Sequence, residues 1–341
     1  MTREREGLLL CLVSAAGFGA MAIFAKQAYA AGLDVTTLLA LRFVMAAAML
    51  WALIGLRRRA LGSLRGLAAG GLLGVWYAVQ AGLFFSALER IDAGLAALLL
   101  YIYPALVTLA AFALGRERPD RARIVALVLA SAGVALVLAG GGTGALDALG
   151  VALALGAAGA YTFYILVSDR RPASTPAISF AASVVTGAAL AFGLAALVRG
   201  GVAVSGEGLM WTAILASVST VLPIVVFLAG LERVGPSTAS IASTVEPPFT
   251  VLLAWLVFGE TLGPLQLAGG ALVLSAVVVL QLRSSASSLR SASPESPLAR
   301  TSLRQSESSA PGASQAHVSA TVSHSGRGAS PAAAARAPDI P

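Results

Sequence analysis

The sequence predicts an all-helical, polytopic membrane protein: ten transmembrane helices arranged as two inverted five-helix repeats, followed by a disordered C-terminal tail. Three observations predict it. Hydrophobic residues fill 57% of the 341 positions and charged residues 11%, against about 45–50% and about 25% in soluble domains; the mean hydropathy is +0.85. The apolar residues fall in stretches of about 20, the length that crosses a hydrocarbon core. The first half of the chain also recurs, in outline, in the second.

The spans predicted in order are 7–30, 35–55, 66–88, 92–115, 121–140, 146–168, 176–198, 209–230, 236–258 and 263–282. Short links make neighbours antiparallel. The first span has a charged leader, T-R-E-R-E, and an A-Y-A at 28–30 in the manner of a signal peptide. Its apolar stretch is longer than the 7–15 residues of a signal core, and the repeat requires it as a span. With the N-terminus inside, thirteen arginines (Arg3, Arg5, Arg57, Arg58, Arg59, Arg65, Arg116, Arg118, Arg121, Arg123, Arg170, Arg171, Arg233) lie in inner segments, and only Arg90 and Arg199 lie outside. That asymmetry places both termini in the cytoplasm. From Arg283 onward Ser, Ala, Pro, Gly and Arg dominate, too few large apolar residues for a core, so a disordered cytoplasmic tail is expected over 283–341.

The net charge of +7 comes from arginine runs between apolar segments. There is no basic domain with interleaved aromatics, so no nucleic-acid partner is expected. Cys11 is the sole cysteine, and both histidines, His317 and His324, lie in the tail. No disulfide, no metal site and no cofactor is expected from that inventory. The expected partners are the lipid bilayer, a small-molecule substrate and, as an open question, protons, in a monomer or homodimer.

Residues 88–117 open L-E-R, contain Y-I-Y-P and close R-E; residues 231–260 open L-E-R, contain T-V-E-P and close G-E. Glu89 and Glu232, Pro104 and Pro247, Glu117 and Glu260 are each 143 apart (232 − 89, 247 − 104, 260 − 117), with no gap. This ordered match signals duplication, with domains 1–145 and 146–282. Five spans per copy is odd, so the copies enter the membrane in opposite senses, as in many secondary transporters. With these residues, A-L-R-F at 40–43 and L-V-F-G-E-T-L-G-P-L-Q-L-A-G-G-A-L-V-L at 256–274, the chain resembles the EamA-type drug/metabolite transporter superfamily over about residues 7–282. The first copy departs from the pattern, with R-E-R-P-D-R-A-R at 116–123. The resemblance implies export or exchange of small metabolites across the plasma membrane and leaves the substrate open.

The candidate site residues follow from burial cost. Glu246 sits mid-span in S-T-V-E-P-P-F-T, where an ionised carboxylate costs about 2.5–3.5 kcal/mol on insertion scales. It must pair, face water or hold a proton. Its repeat mate Tyr103 precedes Pro104. Pro104, Pro247 and Pro248 are helix-break positions expected to free the carbonyls of Leu100, Ser243 and Thr244, which must then face protein or a wet cavity. Arg42 is an embedded cation that either pairs with Glu89 or Asp34 or reads an anionic group. Lys26, the only lysine, either snorkels or joins the site. Trp76, Gln80, Tyr101 and Tyr161 complete the candidates, with Tyr77 and Tyr164 beside them. Tyr101 and Tyr103, two residues apart, should point to different sides of a continuous helix. Gly66, Gly70 and Gly74 form a packing stripe.

These features favour a non-enzymatic secondary transporter, an alternating-access exporter with Glu246 as the proton carrier if protons are coupled. No phosphate loop supports ATP-driven pumping. The alternatives are an uncoupled facilitator or exchanger, and a non-transporting sensor or scaffold. A lipid enzyme would need a nucleophile–base pair or metal cluster that the spans lack.

Overall fold

A computed structural model of the chain describes residues 3–115, 120–140, 147–169, 171–200 and 204–292. Every regular element among them is helical. Ten helical segments are long and apolar enough to cross a membrane: span 1 Arg3–Ala30, span 2 Val35–Leu56, span 3 Leu64–Leu88, span 4 Ala93–Ala113, span 5 Arg121–Ala139, span 6 Ala148–Ser168, span 7 Ala177–Arg199, span 8 Gly206–Pro236, span 9 Thr238–Phe258 and span 10 Pro264–Leu282. Most ends fall within three residues of the sequence expectation, and span 8 is longer by three residues at its start and six at its end. The last helix continues to Ala292, past the Arg283 at which disorder is expected. Ser, Ala, Leu and Arg are all tolerated in a helix, and the first breaker is Pro294. Glu117, Arg116, Arg118, Arg170 and the tail histidines lie outside the described residues.

Polar side chains close the turns. Asp34, Ser63, Asp120, Asp147 and Ser205 each accept a hydrogen bond from backbone amides of the helix that follows, satisfying donors that a helix start leaves orphaned. Bonds between loops fix which ends share a face. On the face away from the first residues, here the far face, Arg199 donates to Thr36 at 2.8 Å, Ser205 to the Ala31 carbonyl at 3.1 Å and Arg90 to Asp147 at 3.0 Å. On the terminal face, Ser63 meets Thr175 at 3.3 Å and Ser179 donates to the Ala60 carbonyl at 3.0 Å. Each span therefore crosses from one face to the other, and spans n and n + 5 run in opposite senses.

The packing respects that inversion. Spans 1 and 8 pack together, as do 3 and 6; spans 2 and 8 match 3 and 7; spans 1 and 9 match 4 and 6. Spans 2 and 7, and spans 4 and 9, pack against their own counterparts. Exchanging the halves maps this set onto itself.

Small residues allow the close approaches. The glycine stripe of span 3 lies along span 7: Gly66 faces Thr175, Gly70 faces Phe180 and Ser183, and Gly74 faces the Val184 backbone and Gly187. Lipid tails are as apolar as leucine, so association depends on such contact. Gly74→Val should force spans 3 and 7 apart and destabilise the fold by about 1–3 kcal/mol, the usual cost of overpacking. Gly193→Ala, with no atom within 4 Å of the new methyl, should leave it unchanged or stabilise it. Thermal unfolding in detergent separates the two.

Candidate functional site

Spans 4 and 9 both break in mid-span, at equivalent places. Span 4 stops at Leu100 and restarts at Tyr103; span 9 stops at Ser243 and restarts at Glu246. Both intervals obey the offset of 143. Pro104 and Pro247 each stand in the first turn of the restarted helix, where a missing N–H costs nothing. The carbonyls they release need donors. Tyr101 lies in the first break, and its hydroxyl sits 2.8 Å from the Ser243 carbonyl and 3.0 Å from Oε2 of Glu246. One phenol therefore joins the two breaks, one in each half.

The breaks open onto a cavity of about 340 Å³. Its walls come from both halves, and many of them pair 143 apart: Phe18 and Tyr161, Met21 and Tyr164, Arg42 and Val185, Tyr77 and Thr220, Phe84 and Phe227, Tyr103 and Glu246. The backbone is duplicated, but the chemistry is not. Each charged wall residue has an uncharged mate.

Arg42 is 1% exposed. Its Nε donates to Thr220 Oγ1 at 3.0 Å, and Nη2 lies 3.4 Å from the Met21 sulfur, a weak acceptor. The guanidinium stands 4.9 Å from the ring centres of both Phe43 and Phe85, within cation–π range. Thr220 belongs to a single π turn, Ser217–Val221, and its hydroxyl donates to the Leu215 carbonyl at 3.0 Å. Pro223, two residues past the end of that turn, excludes the carbonyl four residues back from a normal helical bond. The turn thus aims a hydroxyl at Arg42, a role that the sequence gives little reason to assign to Thr220. Among the described residues no carboxylate lies within ion-pair distance of Arg42.

Neither acid expected to pair with Arg42 does so. Asp34 caps span 2, accepting from the Thr36 and Thr37 amides and the Thr37 hydroxyl. Burial pushes this carboxyl up, but those hydrogen bonds outweigh it and hold it below its ordinary value. Glu89 sits at the end of span 3, pushed up by burial and by Asp34. Both acids sit in turns on the far face, about a helical turn or more beyond the depth of Arg42.

An unbroken series of ring contacts links the two charges. Tyr101 meets Tyr103 at 5.7 Å, Tyr103 meets Tyr161 at 4.7 Å, Tyr161 stacks on Tyr164 at 5.7 Å, Tyr164 meets Tyr77 at 5.2 Å and Tyr77 meets Phe43 at 6.0 Å. Glu246 adjoins the first ring and Arg42 the last. Gln80, 6% exposed, also lines the cavity.

Tyr101 and Tyr103 thus face one pocket, against the expectation for a continuous helix. The helix is not continuous: the turn at 101–102 resets the direction of the side chains. Trp76 does not line the cavity. Its indole N–H donates to the Ala160 carbonyl at 2.9 Å and its ring lies 4.6 Å from Phe163, which pins span 3 to span 6. Lys26 is also outside the cavity, bound to Glu260 at 2.7 Å. Pro248 is exposed on the bundle surface and Pro247 is buried behind the break. Pro104 lines a second, smaller cavity toward the terminal face, which meets the central one at Tyr103.

The sequence model of the EamA-like transporter family matches this chain twice, over residues 5–139 and 148–282. The chain belongs to the EamA-like transporter family. The two matches start and end 143 apart (148 − 5, 282 − 139), the offset of the paired cavity walls. Among its relatives is an uncharacterized transporter of Archaeoglobus fulgidus, 29% identical over 199 residues, covering 58% of this chain and 70% of the relative. Another is the uncharacterized transporter YcbK of Bacillus subtilis, 25% identical over 285 residues, covering 77% and 88%. A crystal structure, 20% identical, superposes with a TM-score of 0.59 over 81% of this chain and 96% of its own, a likeness of fold alone. This EamA protein is thus a multi-pass membrane protein of a transporter family.

Removing the Tyr101 hydroxyl should leave the Ser243 carbonyl unsatisfied. Tyr101→Phe is expected to destabilise this EamA protein by about 1–3 kcal/mol with the rings still packed. Denaturant unfolding in micelles against the parent checks it.

Proposed function

We propose that this chain is a secondary transporter that carries a small amphipathic metabolite with an anionic group, amino acids among the possibilities, by alternating access between its inverted halves. The observation that carries the reading is the cavity: a fixed cation and a carboxylate stand at opposite ends of a tyrosine arc, within walls drawn from both halves. Arg42 is always charged and has no carboxylate partner among the described residues, so an anion brought in by a substrate would satisfy it. Fixing Nε on Thr220 leaves the terminal nitrogens for a planar oxyanion. The ring faces suit an apolar or aromatic body.

Glu246 begins a half-helix, where the aligned peptide dipoles favour negative charge. It is the group we assign to proton coupling, so that substrate leaves in exchange for an entering proton. The tyrosine hydroxyl shared with Ser243 ties its protonation to the span 9 break. A protonated carboxyl can donate to the phenol while the phenol donates to the carbonyl. An ionised one takes the phenol's single proton and leaves the carbonyl to find another donor. In this reading the protein lies in the plasma membrane, as the family resemblance implies, with both termini cytoplasmic, as the arginine distribution implies.

The test uses proteoliposomes with an imposed pH gradient and an interior pH dye, with carboxylate-bearing metabolites screened against their amides. Wild type should dissipate the gradient with a carboxylate substrate. Glu246→Gln should exchange that substrate without moving protons. Arg42→Lys should raise KM about tenfold or more, the loss of a charge-assisted hydrogen bond worth about 1.5–3 kcal/mol. Unchanged proton coupling in Glu246→Gln would leave Glu246 a structural group. Equal transport of acid and amide would remove Arg42 as the anion reader.

A further inference from the structure

We propose that Lys26, Glu260 and the backbone amide of Ala93 form the gate of the far face, an ionic latch with no counterpart at the equivalent positions of the terminal face. The inference rests on the alternating-access reading above. Lys26 Nζ lies 2.7 Å from Glu260 Oε1, and the other oxygen of the same carboxylate accepts the Ala93 amide at 2.8 Å. Asp92, next to the start of span 4, makes no side-chain cap there. Glu260, from the other half of the chain, caps span 4 in its place.

Lys26 and Ala93 belong to spans 1 and 4, and Glu260 follows the end of span 9 by two residues; all three spans wall the central cavity. Each lies beyond its own span's lining residues on the far side: Lys26 follows Met21 by five positions, Ala93 precedes Ala97 by four and Glu260 follows Thr250 by ten. One carboxylate of the second half therefore holds two spans of the first together across the far end of the cavity. Opening that end by moving the halves apart must break it. The side chains are 20% and 12% exposed, so the pair is less screened than a surface one, and removing one partner leaves a largely buried charge.

The sequence shows which residues stand at the equivalent positions in the other repeat copy, among them Glu117, which lies outside the described residues. Adding or subtracting 143 takes Lys26 to Asp169, Glu260 to Glu117 and Ala93 to Pro236. The cation has become an acid, the acid remains an acid and the amide donor is a proline with no N–H. Two like charges and an absent donor cannot make this latch. The bias that follows is a resting state closed at the far face and open at the terminal face, where the second cavity, lined by Pro236, meets the central one at Tyr103.

The test is site-directed thiol labelling of the full chain in membrane vesicles of known sidedness. Cys11, the sole native cysteine, is replaced by alanine, and Ala97→Cys reports on the cavity. A membrane-impermeant maleimide is then added from each face. With the latch intact, labelling from the terminal face should exceed that from the far face. The neutral variant Lys26→Met/Glu260→Gln leaves no unpaired charge and keeps an oxygen for Ala93. It should raise far-face labelling about tenfold, within the range of ordinary site-to-site couplings. If it fails to fold, Glu260→Gln alone carries the same expectation. Far-face labelling unchanged in the variant, with the parent still reached from both faces, overturns the latch and leaves alternating access standing. Labelling from one face only in every variant overturns both.

Discussion

The bilayer interior has no water to satisfy a backbone, and the rest of this architecture depends on that constraint. A helix that breaks in hydrocarbon exposes carbonyls, each costing several kcal/mol when it faces lipid. Two breaks at one depth are tolerable only if each is covered by protein or opens onto a polar cavity. The chain does both: the breaks of spans 4 and 9 lie at the central cavity, and a tyrosine in one reaches the freed carbonyl of the other at 2.8 Å. The cavity is then a requirement of the breaks as much as a container for a substrate. The same logic holds at Thr220, where a π turn ahead of Pro223 supplies the hydroxyl that holds Arg42.

Duplication supplied the frame and divergence supplied the chemistry. The walls pair at a fixed offset because both copies keep the same helical register. Arg42 opposes Val185, Glu246 opposes Tyr103, and Lys26 has Asp169 for its mate. A perfectly symmetric inverted dimer would present the same face inward and outward and bind its substrate in two equivalent poses. This chain departs from that equivalence with one cation and one carboxylate in the cavity and one ion pair at its far end.

The spans were legible because hydrocarbon thickness leaves a length signature that loops do not share. The repeat was legible because helices of equal length need no gaps. Glu246 and Arg42 stood out for a related reason: a charge inside an apolar run is costly enough to demand an explanation from the sequence alone. Less visible was anything that depends on which residues meet across 140 positions or more. Pairing Arg42 with Asp34 or Glu89 was reasonable by depth, yet both acids are engaged in turns on the far face, and the partner is a threonine 178 residues away. Trp76 looked like a cavity wall because aromatic residues serve walls and interhelical pins equally well, and periodicity does not distinguish them. Thr220 left no mark, since one threonine in an apolar span is ordinary until the π turn aims it.

The tyrosines show how the break converts a packing problem into a shared cavity wall. In an unbroken helix, residues two apart diverge, so Tyr101 and Tyr103 could not share a wall. The turn at 101–102 brings their rings to 5.7 Å, and Tyr103 then meets Tyr161 from span 6, the mate of Phe18. Each tyrosine ring packs against its neighbour, and the Tyr101 hydroxyl at the head of the arc engages Ser243 and Glu246. Glu246 adjoins one end through Tyr101, and Arg42 adjoins the other through Phe43. A ligand lying along the arc would touch both charges only by spanning rings from spans 3, 4 and 6, so binding and the relative placement of the two halves are set by the same contacts. The constraint that made the helices break is thereby the one that places the cavity between the two halves.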